Sequence, residues 1–133
     1  MRRLTRTLPA LALLALPALA RAVDATGPMV CTLVDVFDCS ETDCTEVQSE
    51  VVGVPDLVRL DTKKKTLTAL DPEFDGDTTA LEAVTSEGGK ISARGHEGDR
   101  SLTLVVEGKS GDAMMTVSDQ KLVLVAYGEC AKH

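Results

Sequence analysis

The residues best suited to chemistry lie in an acidic run between Asp71 and Glu82. Within this twelve-residue window, oxygen-bearing side chains stand at positions 1, 3, 5, 9 and 12, and a glycine stands at position 6. An EF-hand loop uses this spacing to surround Ca²⁺ with hard oxygen ligands. The window is a candidate calcium site, and the ligands that we assign are its five carboxylates, Asp71, Glu73, Asp75, Asp77 and Glu82.

Three departures from the EF-hand pattern favour a solvated acidic loop over a metal site. Glu73 is longer than the usual residue at position 3, and Thr78 replaces the apolar residue of position 8. The flanking segments have the pattern of strands, whereas an EF-hand loop lies between two helices. If the loop binds calcium weakly, millimolar calcium raises the melting temperature of the protein, and Asp75→Ala abolishes that effect.

The rest of the chain offers little that could support catalysis. Of the two histidines, His96 lies in a polar turn and His133 is the terminal residue. The sequence has neither a G-x-S-x-G nucleophile elbow nor the spacing of a P-loop. The three aromatic residues, Phe37, Phe74 and Tyr127, provide little surface on which sugars or bases could stack. We therefore expect a non-catalytic protein with no catalytic residues and no cofactor other than the possible calcium ion.

The first 22 residues have the features of a signal peptide. Arg2, Arg3 and Arg6 precede an apolar stretch over residues 8–20, and Ala20 and Ala22 fit a signal-peptidase site. The apolar stretch is shorter than the roughly 20 residues that span a bilayer. We predict a signal peptide over residues 1–22, a flexible tail over 23–29 and one β domain over 30–133. The mature protein is then periplasmic or secreted and has no stable membrane anchor.

The charge balance indicates which partners suit the chain. The full sequence carries 14 basic and 21 acidic residues, a formal net charge of −7. Loss of the four arginines in residues 1–22 leaves ten basic and 21 acidic residues, a formal charge of −11. Such an excess repels nucleic acids and anionic membranes, and it favours a cationic partner or a divalent ion.

All four cysteines lie downstream of the predicted signal peptide. An even number of cysteines in a small exported domain indicates two disulfides, for which three pairings are possible. We favour Cys31 with Cys130, which would join the first strand to the last, and Cys39 with Cys44, which would close a short loop. A redox C-x-x-C motif is absent.

The hydrophobic pattern predicts an all-β fold. Short alternating or β-branched runs are separated by turns rich in Gly, Asp and Lys, and residues 101–107 have period-two alternation. Seven or eight strands joined by tight turns favour a single antiparallel meander, closed or partly open as a barrel, with a two-sheet sandwich as the alternative. The predicted strands are residues 30–37, 57–60, 66–70, 80–86, 90–94, 101–107, 113–118 and 122–127, and residues 46–54 are a weaker strand candidate.

Together, the signal peptide, the early Cys31, the loop between Cys39 and Cys44 and the closing segment that ends at Cys130 resemble small periplasmic proteobacterial proteins of unknown function. That resemblance implies an antiparallel meander and no known active site. A looser resemblance is to the small periplasmic lysozyme inhibitors, which are compact barrels with cysteines near both ends. Their Ser-Gly and Tyr surface motif has only a fragment here, Ser110 and Gly111, which no Tyr follows.

These observations favour an exported, non-catalytic interaction module with acidic loops that bind a cationic protein or a divalent ion. The alternatives are a small-ligand carrier with an apolar barrel interior, a weak calcium-binding protein and an inhibitor of a lysozyme-type hydrolase. A barrel of this length is usually filled by its own side chains, which disfavours the carrier.

Overall fold

The structure is a computed structural model that describes residues 27–133. Within these residues, nine antiparallel strands form one sheet. The predicted signal peptide and residues 23–26 of the predicted tail lie outside the described residues. The elements are β1 (Met29–Cys39), β2 (Cys44–Val47), α1 (Ser49–Val52), β3 (Leu57–Asp61), β4 (Thr66–Ala69), a 3-10 turn (Pro72–Phe74), β5 (Thr78–Glu87), β6 (Lys90–Glu97), β7 (Arg100–Glu107), β8 (Asp112–Ser118) and β9 (Val123–Lys132).

The strands close into a barrel through β1. Seven strands follow in the order β3-β4-β5-β6-β7-β8-β9, and β1 pairs with β9 on one side and with β3 on the other. Only the first half of β1 pairs with β3, because β2 occupies the same edge of β1 from Val36 onward. The architecture is a closed eight-stranded barrel with β2 as an extra strand. The predicted all-β barrel is confirmed, and the two-sheet sandwich is not formed.

Side chains fill the interior of the barrel. In β7, Leu102, Leu104 and Val106 are buried, as the alternation of residues 101–107 predicts for a strand with one face inside. The largest side chains with essentially no exposure are Met29, Leu33, Leu60, Ile91, Leu104 and Leu124. Because such side chains come from strands all around the barrel, one continuous apolar core stabilises the closed sheet.

One predicted strand is largely wrong. Residues 46–54 were expected to be extended, but β2 ends at Val47 and α1 follows as a single helical turn. Gly53 ends this turn in the left-handed conformation (φ 69°), and the Val54 N–H donates to the Ser49 carbonyl over 3.0 Å. The turn places Val54 in the core, at 3% exposure. Burial of Val54 therefore overrides the strand preference of the preceding valines.

Both disulfides have the favoured pairing. Cys31 in β1 is bonded to Cys130, its direct partner in β9, and the bond closes a sequence separation of 99 residues. Cys39 is bonded to Cys44 across the hairpin between β1 and β2. Two structural disulfides indicate an oxidising environment outside the cytoplasm. In residues 27–133, the structure has no helix with the length and apolar character needed to cross a membrane.

A close backbone approach lies at the seam between β1 and β9. The register of the pair shifts between Leu33 and Asp35, which marks a β-bulge in β1. Gly128 lies opposite the bulge, and a Cβ atom at this position would overlap the Thr32 carbonyl. The seam therefore requires glycine at residue 128.

Candidate functional site

The two ends of the barrel differ in how the strands are connected. We call residues 38–56, 71–77, 97–100 and 118–122 the acidic end, because the antiparallel pairing brings these segments to one end of the barrel. The opposite end comprises residues 59–65, 87–90, 107–112 and 129–133. Tight turns join the strands at the opposite end, and the acidic end has α1 and the 3-10 turn in addition to its short turns.

Charge is divided unequally between the two ends. The carboxylates of the acidic end are Asp38, Glu41, Asp43, Glu46, Glu50, Asp56, Asp71, Glu73, Asp75, Asp77, Glu97, Asp99 and Asp119, and its basic side chains are Arg100 and Lys121. At the opposite end the carboxylates are Asp61, Glu87, Glu107, Asp112 and Glu129, and the basic side chains are Arg59, Lys63, Lys64, Lys65, Lys90, Lys109 and Lys132. The acidic end therefore carries the negative charge of the domain, and the opposite end is slightly positive.

A small cavity lies at the acidic end. Its volume is about 70 Å³, and it is partly open. The apolar residues that line it are Val54, Pro55, Val58, Leu67, Ala69, Phe74, Leu102, Met115 and Val117, and the remaining lining residues are Gly53, Asp77, Thr79, Glu97 and Arg100. The cavity is thus an apolar depression whose lining includes two carboxylates and one guanidinium group.

The loop between β4 and β5 contributes an aromatic and a carboxylate to this cavity. The Asp75 N–H donates to the Pro72 carbonyl (3.2 Å), and Asp75 itself has a left-handed backbone (φ 48°). The Ala69 N–H then donates to the Asp77 carbonyl (2.8 Å) and closes the loop. These backbone hydrogen bonds leave Phe74 half-buried against the cavity while Asp75 and Asp77 are exposed.

The predicted calcium ligands are not brought together as one set. Asp71 Oδ2 accepts a hydrogen bond from the Leu57 N–H (3.0 Å), which fixes the start of β3. Glu82 lies within β5, and its Oε1 is 3.3 Å from His96 Nε2. Glu73, Asp75 and Asp77 are exposed on the loop. In the described part of the chain, no three metal-binding side chains form a group that could hold an ion. The calcium site stays a prediction.

The guanidinium group at the cavity is paired with a carboxylate. Arg100 Nε lies 3.7 Å from Asp119 Oδ2. Asp119 Oδ1 also accepts hydrogen bonds from the backbone N–H groups of Lys121 (2.7 Å) and Leu122 (2.8 Å), which form the turn before β9. The Lys121 hydrogen bond is the strongest cause of a lowered pKa at Asp119, with the Leu122 hydrogen bond and the Arg100 charge also lowering it. Asp119 is therefore a turn-forming residue that also neutralises Arg100.

A Ser, a His and a Glu align on the outer face of the barrel. Ser101 Oγ is 3.2 Å from His96 Nδ1, and the other ring nitrogen of His96 faces Glu82. His96 and Glu82 are 54% and 59% exposed, so water competes for both contacts. A catalytic triad acts in a site that excludes water and orients its groups before reaction. We interpret this row as polar cross-strand pairing between β5, β6 and β7.

An apolar strip lies on the outer face of β8, β9 and β1. Phe37 and Tyr127 pack edge to face with ring centroids 6.0 Å apart, and Met114 is the direct partner of Tyr127 in the neighbouring strand. Tyr127 and Met114 are exposed, at 46% and 38%. Two of the three aromatic side chains therefore lie on this strip rather than in the core.

Sequence reasoning identified the acidic loop but missed the cavity beside it. The missed residues include Val54, Phe74 and Arg100, which come from three separate segments. The available signal was Phe74, an aromatic residue within an otherwise acidic and polar loop.

Searches against known protein families, curated proteins and solved structures found no significant match to this chain. Function is accordingly inferred from the geometry and charge of the acidic end.

Proposed function

We propose that the protein is a non-catalytic binding module that engages a cationic protein partner with its acidic end. The observation that carries this proposal is the unequal division of charge between the two ends of the barrel. We place the protein in the periplasm or outside the cell, after removal of the signal peptide proposed for residues 1–22. The two disulfides support an oxidising environment of this kind.

Clustered carboxylates favour a cationic partner for a physical reason. Like charges on one surface add their potentials, which steers an oppositely charged partner and raises the association rate. Hydrogen bonds from backbone N–H groups account for Asp71 and Asp119, but Glu73, Asp75 and Asp99 lie exposed in loops. A bound cationic surface would lower the repulsion between these carboxylates. Because salt screens the attraction between the two surfaces, we expect tighter binding at low ionic strength.

The barrel interior does not support the carrier alternative. Fully buried side chains such as Leu60, Ile91 and Leu104 occupy the centre of the barrel. The cavity at the acidic end, about 70 Å³, is far below the roughly 300–1,000 Å³ of a typical small-molecule site. Inhibition of a lysozyme-type hydrolase stays a prediction, and an assay of lysozyme turnover with the purified protein checks it.

The test of this proposal compares two variants with equal net charge. The acidic-end variant is Asp75→Asn/Asp77→Asn/Glu97→Gln, and the control removes three carboxylates of the opposite end, Glu87→Gln/Glu107→Gln/Glu129→Gln. The probe is an unstructured decalysine peptide, and affinity is measured by calorimetry at 20 mM and 300 mM salt. At about 0.5 kcal/mol for each exposed charge pair, the acidic-end variant loses about tenfold in affinity.

Each outcome of this comparison has a defined meaning. We expect the control to change affinity by less than about threefold, and we expect the wild-type affinity to fall steeply at high salt because the charges are screened. Equal losses in the two variants would show that only net charge matters and would contradict an acidic-end site. A decalysine peptide that does not bind the wild-type protein at 20 mM salt would contradict the proposal altogether.

A further inference from the structure

The cavity at the acidic end has an apolar wall made of core residues. Val58, Leu67, Leu102 and Met115 line it, and each is at most 6% exposed. These side chains belong to four strands, β3, β4, β7 and β8, so the wall is part of the barrel framework and not of a loop. A group that enters the cavity would therefore meet a preformed apolar surface.

The volume of the cavity restricts what can enter. A protein cavity of about 150 Å³ lined by aliphatic side chains holds one benzene molecule. At about 70 Å³, this cavity has roughly half that space, which suits one small aliphatic group better than an aromatic ring. A long acyl chain or a drug-sized ligand does not fit without rearrangement of the barrel.

The charge around the cavity restricts the chemistry of the segment that carries this aliphatic group. Asp77 and Glu97 line the same cavity, and both side chains belong to exposed residues. Further carboxylates of the acidic end, such as Asp75 and Asp99, lie on the adjoining loops. A bound segment thus meets an apolar cavity and a negatively charged rim at the same time.

We propose that the cavity accepts one aliphatic side chain, of the size of valine or leucine, from a basic segment of the partner protein. Lysine or arginine residues that flank this side chain would contact Asp77 and Glu97. This inference rests on the proposed function and specifies the anchor by which the cationic partner is held. Burial of one such side chain is expected to strengthen binding by about tenfold.

An anionic amphiphile is the competing occupant, because Arg100 also lines the cavity. Its Nε already lies 3.7 Å from Asp119 Oδ2, so this guanidinium group has a carboxylate partner within the protein. A bound carboxylate would also be repelled by Asp77 and Glu97. The geometry consequently favours a cationic segment over a short fatty acid.

The first test varies the anchor in a fixed basic peptide. Three peptides have the sequence Lys-Lys-Lys-Xaa-Lys-Lys-Lys with Leu, Ser or Trp as Xaa, and hexanoate is the anionic probe. Calorimetry is expected to show about tenfold tighter binding for the Leu peptide than for the Ser peptide, with the Trp peptide close to the Ser peptide. Hexanoate is expected not to bind.

Two adjacent methionines provide an internal control for the location of the anchor. The Met115 side chain lines the cavity, whereas Met114 lines a groove on the outer face of the barrel. With methyl-labelled methionine, the Leu peptide is expected to shift the Met115 Cε resonance and to leave the Met114 resonance in place. The Ser peptide is expected to move neither resonance.

Val117 is half-buried and lines the cavity, so variants of Val117 change the size of the cavity without changing its charge. Val117→Phe fills the space and is expected to remove the difference between the Leu and Ser peptides. Val117→Ala enlarges the space and is expected to improve binding of the Trp peptide relative to the Leu peptide. Should Val117→Phe fail to fold, Val117→Ala and the methionine spectra still decide the result.

The outcomes separate this inference from the proposed function. If all three peptides bind with equal affinity and Met115 does not shift, the aliphatic anchor is wrong while the cationic partner stands. If hexanoate binds and shifts Met115 but the Leu peptide does not, the occupant is anionic and the inference is overturned. If no basic peptide binds, the proposed function fails first, and the anchor fails with it.

Discussion

The opposite end of the barrel is regular and lies near a long-range disulfide, whereas the acidic end is irregular and open. The opposite end has the short turn at Gly88 and Gly89, and the Cys31–Cys130 bond crosses the β1–β9 seam near it. The acidic end has the helical turn α1, the 3-10 turn, the cavity and the short loop of the Cys39–Cys44 bond. We expect the opposite end to contribute more to stability than the acidic end, and we propose that the acidic end is used for recognition.

Loss of the Cys31–Cys130 disulfide should destabilise the protein most. Replacement of both Cys31 and Cys130 by serine releases a constraint over 99 residues, and the chain-entropy relation gives a loss of about 4–5 kcal/mol in the free energy of unfolding. The matched variant Cys39→Ser/Cys44→Ser releases a separation of five residues and should lose about 2 kcal/mol. Urea unfolding measures both losses. Equal losses, or a larger loss for the second pair, would contradict the contrast between the ends.

Two glycine substitutions make the next comparison. Gly128→Ala places a Cβ atom against the Thr32 carbonyl at the β1–β9 seam, and we expect a loss of about 3 kcal/mol or more. At the acidic end, Gly76→Ala meets no atom within 4 Å but needs a positive φ of 73°, which costs about 1 kcal/mol.

Thermal denaturation of the two alanine variants checks this order. We expect substitution to destabilise the seam more than the acidic loop. The paired backbones at the seam cannot move away from the new Cβ atom, whereas an exposed loop can adjust. A Gly128→Ala variant as stable as Gly76→Ala would mean that β1 relaxes at its bulge and that the seam is not rigid.

The pH dependence of stability at the acidic end should be weak. The pKa of Asp119 is lowered in the folded protein, so this residue stabilises the fold at pH values above its unfolded pKa of about 3.9. That stabilisation is lost as the pH falls through the lower folded pKa. Asp119→Ala should therefore reduce the melting temperature at pH 7 more than at pH 2–3.

Arg100→Gln is the control for this pH effect, because it removes the ion pair and keeps the two backbone hydrogen bonds to Asp119. Melting curves between pH 2 and pH 7 should show a smaller change for Arg100→Gln than for Asp119→Ala. A larger change for Arg100→Gln would show that the ion pair, and not the Lys121 hydrogen bond, dominates.

The barrel could be predicted because the alternation of its strands is visible in short stretches of sequence. The disulfides could be predicted because few pairings of the cysteines are possible. The alternation of residues 101–107 indicates which side chains of β7 face inward, and four cysteines allow few pairings. The strand predicted over residues 46–54 was largely wrong, since the helical turn depends on Gly53 and on the packing of Val54 into a core that forms elsewhere in the chain.

The candidate site was predictable only in its charge. The acidic loop is continuous in sequence, so its composition alone indicates a negative surface. The cavity combines side chains from separate elements, for instance Val54 before β3, Leu67 in β4 and Met115 in β8, and no local pattern reports such contacts. Gly128 is a similar case, because its requirement follows from the bulge in β1 rather than from its own segment.

The most direct test of a cationic-partner site at the acidic end is amide chemical-shift mapping with the decalysine peptide. We predict that the amide resonances that shift belong to the acidic end and include those of Gly76, Gly98 and Asp119. Amide resonances of the opposite end, including those of Lys64 and Gly89, should not shift. Perturbations confined to the opposite end, or spread equally over both ends, would contradict a cationic-partner site at the acidic end.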